Sequence, residues 1–176
     1  EVLFGKINPS GKLPITFYKD GEQPEFTDYS MRNRTYRYYR GEALYPFGYG
    51  LSYTGFDYKL EGRKTASVND EDYMALQNTA VTLDVTVSNT GDYDGEEVVL
   101  AYVDKCPEDK NIDPDNQPIK SLCAFKRVSL KKGESRKVTL EVSGHSLTTV
   151  LDDGTRKFLP GKYIFTVGDK RSEERR

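Results

Sequence analysis

The stretch Ala80–Asn89 (AVTLDVTVSN) constrains this chain more than any other. Val81, Leu83, Val85 and Val87 fall on one side, and Thr82, Asp84, Thr86 and Ser88 on the other. A period of two sends successive side chains to opposite faces of an extended backbone, so the segment reads as a strand with one buried face. The same pattern recurs. Arg136–Ser143 alternates Val138, Leu140 and Val142 with Thr139 and Glu141; Lys162–Gly168 places Tyr163, Phe165 and Val167 together; Phe56–Leu60 does so with Phe56, Tyr58 and Leu60. Glu96–Val103 (EEVVLAYV) is apolar on both faces, as a central strand would be, and Leu122–Leu130 is a further strand. Between them lie turn signals: TGDYDG at 90–95, KKGE at 131–134, and Asp152, Asp153 and Gly154.

Six or seven short strands at this spacing, with no helical stripe, predict an antiparallel sandwich. Composition agrees, since 13 tyrosines suit half-buried pleated surfaces. There is no Trp to fill an immunoglobulin core, and Cys106 and Cys123 are not at the spacing of the immunoglobulin bridge. The predicted fold is therefore all-β, an antiparallel sandwich of the fibronectin-III/immunoglobulin-like class, fibronectin-III variant. It spans residues 56–170, with 171–176 as a charged C-terminal tail. Two thiols permit one disulfide but make no framework, and both are expected free.

Charge excludes some partners. Net charge is −2 and Lys and Arg are spread along the chain, so no basic face for nucleic acid is expected. No apolar run approaches the roughly 20 residues that span a bilayer, so no membrane partner is expected. The chain opens on Glu1 with an apolar segment already under way, and we expect it to be cut from something longer.

Residues 1–55 behave differently. Leu13–Phe17 (LPITF) reads as a short strand, yet Leu3, Phe4 and Ile7 have no partner layer within the segment. Burying Leu3, Phe4, Ile7, Leu13, Ile15 and Phe17 would stabilise by roughly 1.5–3 kcal/mol each. Together that rivals the roughly 5–15 kcal/mol of a whole domain. The segment is expected to have packed against a domain absent from this chain. In FGYGLSYT (47–54), Gly48 and Gly50 flank Tyr49, permitting positive φ or close backbone approach. Tyr45, Phe47, Tyr49 and Tyr53 add apolar rings, three of them with hydroxyl tips, and Pro46 stiffens the approach. Such a stretch suits a strap lying in a domain interface.

These residues carry a resemblance. Leu3–Phe17 (LFGKINPSGKLPITF) is similar to the last helix-to-strand passage of the second, α/β domain of family 3 glycoside hydrolases. Thr35–Phe56 (TYRYYRGEALYPFGYGLSYTGF) resembles the linker into their fibronectin-III-like third domain, and Val85–Val99 and Leu159–Gly168 match that domain itself. The resemblance implies that residues 1–55 are the remnant of the α/β domain plus the linker, and that the parent is a retaining β-glycosidase of plant-type oligosaccharides. The TYRYYRG run favours β-xylosidase, with β-glucosidase next. It implies as partners the missing N-terminal barrel and α/β domains, and an oligosaccharide in the intact enzyme. It further implies a secreted or periplasmic parent and no cofactor.

Retaining glycosidases need two carboxyl groups roughly 5–5.5 Å apart. In the family both lie on upstream domains, so no catalytic residue is assigned here. Glu96–Glu97 would point to opposite faces of a strand, Asp152–Asp153 sit in a turn, and Glu173–Glu174 in the tail; all are read as solvated carboxylates. His145 is the only histidine, which excludes a multi-His metal site, and it reads as a loop or strand-end residue. Asp113 and Asp115 in KNIDPDNQP lack the rest of a calcium-loop pattern, so no metal is expected. Asn33-Arg34-Thr35 is a glycosylation triplet. Arg34, Tyr36, Arg37 and Tyr38 carry two readings. Tyr36 and Arg37 above all are candidate substrate-binding residues at outer sugar subsites; the preferred alternative is that they pack a domain interface. The competing function is a carbohydrate-binding or structural fibronectin-III-type module without enzymatic role. Against it stand the absent Trp and the lack of an aromatic row on the solvent faces of the strands.

Overall fold

A computed structural model describes residues 1–65, 75–108, 117–151, 153–168 and 170–175. Two sheets face each other. One runs β1 (Phe56–Thr65), β2 (Thr79–Asn89) and β5 (Ser135–Ser143) in the order β1-β2-β5. The other runs β4 (Ser121–Leu130), β3 (Gly95–Pro107), β8 (Gly161–Val167) and β9 (Lys170–Arg175) in the order β4-β3-β8-β9. Every pairing is antiparallel. After α2, a single turn at Gly144–Leu147, β6 (Thr149–Val150) and β7 (Arg156–Lys157) pair as a small hairpin.

The register follows the hydrophobic alternation. Val81, Leu83, Val85 and Val87 of β2 pair with Val142, Leu140, Val138 and Arg136 of β5. A one-residue slip would turn that whole apolar row to solvent, which fixes the pairing. The valines and leucines named on β2 and β5 meet Val99, Ala101 and Val103 of β3 and Phe165 and Val167 of β8 in one core. As expected of EEVVLAYV, β3 is internal to its sheet.

Three features differ from the sequence reading. Residues 171–175, read as part of a charged tail over 171–176, pair along β8 within β9. Its sequence, KRSEER, has no apolar period to announce a strand. Leu13–Phe17 forms no strand; it makes one isolated bridge, Phe17 to Tyr45. Pro14 lacks an N–H and the segment has a partner along only one edge, so no sheet propagates. The β6–β7 hairpin, two residues a side, is too short to show a period. Neither cysteine is in a disulfide, and the Cys123 thiol donates to the Ala101 carbonyl at 3.3 Å. No helix among the described residues is long and apolar enough to cross a membrane.

Candidate functional site

The distinctive surface lies on residues 1–53. Leu13 N–H donates to the Tyr49 carbonyl at 2.8 Å, Gly48 N–H to the Leu13 carbonyl at 2.8 Å, and Phe17 N–H to the Tyr45 carbonyl at 2.9 Å. Residues 13–17 and 45–49 thus form two antiparallel legs. Between and beside them opens a groove of about 690 Å³ lined by Pro9, Leu13, Phe17, Tyr45, Tyr49 and Leu51.

Both strap glycines are dictated by packing. Gly48 has φ 82°, and a Cβ placed there would lie 2.8 Å from the Tyr102 hydroxyl oxygen. A Cβ at Gly50 would collide with the Gly11 carbonyl.

The legs are fastened to the sandwich. Lys12 Nζ sits 2.8 Å from Glu97 Oε1 on β3, a carboxylate whose residue is 3% exposed. Arg127 on β4 donates to Glu96 at 2.7 Å and to the Ser10 hydroxyl at 3.4 Å. Asn8 Oδ1 accepts from Tyr53 N–H at 2.7 Å and from the Ser52 hydroxyl at 3.1 Å. At the linker's end, buried Asn89 accepts from the Thr54 hydroxyl at 2.6 Å and donates to the carbonyls of Tyr93 and Leu130.

The predicted site residues fall on α1 (Thr35–Tyr38), a single turn. Tyr36 stacks on Phe47 with centroids 4.1 Å apart and meets Tyr102 edge-on at 6.1 Å. Its hydroxyl accepts the Leu122 N–H at 3.0 Å. Arg37 is exposed, with its guanidinium 5.5 Å from the Tyr38 ring centroid and its carbonyl accepting Ile119 N–H at 2.7 Å. Tyr36 therefore packs between the linker and the sandwich, whereas the Arg37 side chain stays in solvent. Tyr102, held by Tyr36 and Phe47, is buried, and its phenol is pushed up to about 12 by burial and by Tyr36. Sequence reasoning missed this anchor because it lies inside a strand apolar on both faces.

The carboxylate pairs do not converge. Glu97 is buried against Lys12, while Glu96 pairs with Arg127. Asp153 caps its own turn by accepting from Thr155, and Asp152 lies outside the described residues, as do Asp113 and Asp115. Backbone alone is described for Glu173 and Glu174. His145 lies in α2, the turn after β5, its pKa lowered by burial and by Arg156 and Lys105. Asn33 uses its Oδ1 to accept the Arg40 N–H. Among the described residues no cluster of three His, Cys, Asp or Glu could hold a metal ion.

Fold and surface together define a fibronectin-III-type sandwich whose N-terminal approach segment is pinned to it and turns an apolar face outward. Comparisons with known proteins agree. Residues 1–53 match the model of the glycosyl hydrolase family 3 C-terminal domain, and residues 97–171 that of a fibronectin type III-like domain. A xylan 1,4-beta-xylosidase of Xylanibacter ruminicola is 39% identical over 170 residues, covering 96% of this chain and 18% of that protein. A probable beta-glucosidase J of Neosartorya fischeri is 36% identical over 183 residues, covering 95% of this chain and 20% of its own length. Among solved structures, a family 3 exo-beta-xylosidase in complex with a xylobiose aziridine probe superposes with TM-score 0.82 at 26% identity, over 98% of this chain and 25% of that one. DesR, a beta-glucosidase from Streptomyces venezuelae, superposes with TM-score 0.78 at 26% identity, over 98% and 24%. The chain belongs to glycoside hydrolase family 3, and it corresponds to the C-terminal part of those enzymes. It spans about a fifth of the length of the curated relatives it matches.

Proposed function

We propose that this chain is the non-catalytic C-terminal portion of a retaining β-glycosidase acting on plant-type oligosaccharides, β-xylosides first and β-glucosides next. Its role there is interdomain scaffolding. The observation that carries this is the distribution of exposed large apolar side chains. They run from Val2 to Tyr53, and beyond that only Tyr93, Phe125 and Val150 join them among the described residues. Of the six side chains singled out in the sequence, all but Leu13 are exposed. A face of that size marks a contact surface. Its occupants are the barrel and α/β domains of the intact enzyme, which also supply the carboxylates that bind and cleave the oligosaccharide.

The test is an assay of the 176-residue chain with 4-nitrophenyl β-xyloside, together with a pull-down on insoluble xylan. No turnover and no retention are expected. Turnover would refute the scaffold reading, and retention would favour the binding-module alternative.

A further inference from the structure

A second concavity shares no residue with the groove between the legs. It holds about 220 Å³ and is lined by Arg32, Asn33, Tyr38, Arg40 and Gln117. It lies at a seam where the segment leading into β4 meets α1. Two hydrogen bonds close that seam: Ile119 N–H donates to the Arg37 carbonyl at 2.7 Å, and Leu122 N–H to the Tyr36 hydroxyl at 3.0 Å.

The lining residues are brought together locally. Asn33 has φ 53°, in the left-handed region that Asn tolerates better than most residues. The chain turns there, and Arg40 N–H donates to Asn33 Oδ1 at 3.1 Å, which draws the two ends of the 32–40 stretch together. That bond occupies the amide oxygen of Asn33 and leaves its NH2 group as a donor. Arg34 does not line the cleft; it brackets the preceding loop by donating to the carbonyls of Glu25, at 2.6 Å, and Asp28.

The lining is one-sided in its chemistry. Two guanidinium groups, a phenol and an amide can donate, and no carboxylate is among the described residues that line the cleft. Arg32 and Arg40 each have a partner already, but a guanidinium carries five N–H donors, which one partner does not exhaust. Their planar forks match a carboxylate. The one orphan acceptor is Gln117 Oε1, which is buried without a hydrogen-bond partner. A buried acceptor left unpaired is destabilising, and a ligand hydroxyl satisfies it. The volume falls below the roughly 300–1,000 Å³ of a drug-sized pocket, so the ligand is small.

We propose that this cleft binds a small hydroxylated carboxylate of the sugar-acid class. Arg32 and Arg40 take the carboxylate, Gln117 accepts from a hydroxyl, and Asn33 and Tyr38 donate to the remaining oxygens. This chain alone builds the site, which does not depend on the glycosidase reading.

The experiment is a calorimetric titration of the full-length enzyme carrying this chain with D-glucuronate, with D-glucose and with acetate. Glucuronate is expected to bind with a Kd of roughly 1 mM, about tenfold or more tighter than acetate. Arg40→Gln should weaken glucuronate binding about tenfold, and Gln117→Leu about two- to tenfold, each at unchanged Tm. Arg32→Gln carries the same expectation as Arg40→Gln if the latter lowers Tm. Acetate should be indifferent to Gln117→Leu, and glucose to Arg40→Gln. A sugar held at a catalytic centre elsewhere in the enzyme would not respond to these substitutions. Glucuronate affinity that is unchanged in the variants therefore overturns the site, as does failure of glucuronate to bind. Acetate binding as tightly as glucuronate overturns the sugar-acid assignment.

Discussion

Lys12 holds its ammonium group 2.8 Å from the carboxylate of Glu97, joining the N-terminal segment to the second sheet through a carboxylate that has almost no other access to water. Removing one partner of a buried pair leaves an uncompensated charge, which costs about 3–5 kcal/mol in full burial. Lys12 keeps 23% of its side chain exposed, so Lys12→Ala should cost less, about 1–3 kcal/mol. Urea unfolding measures it. Adding Glu97→Gln should recover part of the loss, because the stranded charge is then gone.

The strap predicts a second coupling. Gly48→Ala places a methyl group against the Tyr102 hydroxyl oxygen in a backbone conformation that L residues avoid. The left-handed conformation alone costs roughly 1–2 kcal/mol. In a Tyr102→Phe background the clashing oxygen is absent, so the same glycine substitution should cost measurably less. A double-mutant cycle by thermal unfolding reads the difference.

Asn89 is the buried polar knot between linker and sandwich. Asn89→Ala strands the Thr54 hydroxyl and the carbonyls of Tyr93 and Leu130. Losing those bonds should cost about 1–3 kcal/mol, seen as a lower urea midpoint at unchanged slope.

Lys105 sets a pH dependence. Burial, with Arg37 and Arg156 nearby, pushes its ammonium pKa down to about 8 from 10.5, and the group donates to the Thr148 carbonyl. Between those two values the unfolded chain holds more protons at this site, so stability rises with pH. Cys123 works in the opposite sense. Burial pushes its thiol from 9.0 up to about 12, so its contribution to stability falls from pH 9 upward. The intact chain should therefore gain stability from pH 8 to 9, level off, and lose it above pH 10.5. Lys105→Met should abolish the gain, and Cys123→Ala should extend it towards pH 10. Urea unfolding at stepped pH checks all three curves.

How much of this was legible in the sequence depends on how local each cause is. The core strands were readable because one face of β2, β5 and β8 is buried, and burial writes a period of two. Residues 171–175 were not, since KRSEER has no apolar period to announce a strand. Leu13–Phe17 carried a strand's alternation without a sheet to join. At the site, Gly48 and Gly50 announced close packing in their own identity. Tyr102 gave no such signal, because its partners Tyr36 and Phe47 arrive from more than fifty residues away. The bracket of Arg34 around Glu25 and Asp28 was hidden for the same reason: its acceptors are carbonyls, which every residue carries.

The scaffold reading is tested most directly by dividing the parent enzyme at Glu1. The upstream piece and this chain would be produced separately, and hydrolysis of 4-nitrophenyl β-xyloside measured for each alone and for the mixture. The account predicts no turnover by this chain, little by the upstream piece, and recovery on mixing that Phe4→Asp or Ile15→Asp on the exposed face weakens. Full activity in the upstream piece alone, or turnover by this chain, would contradict it.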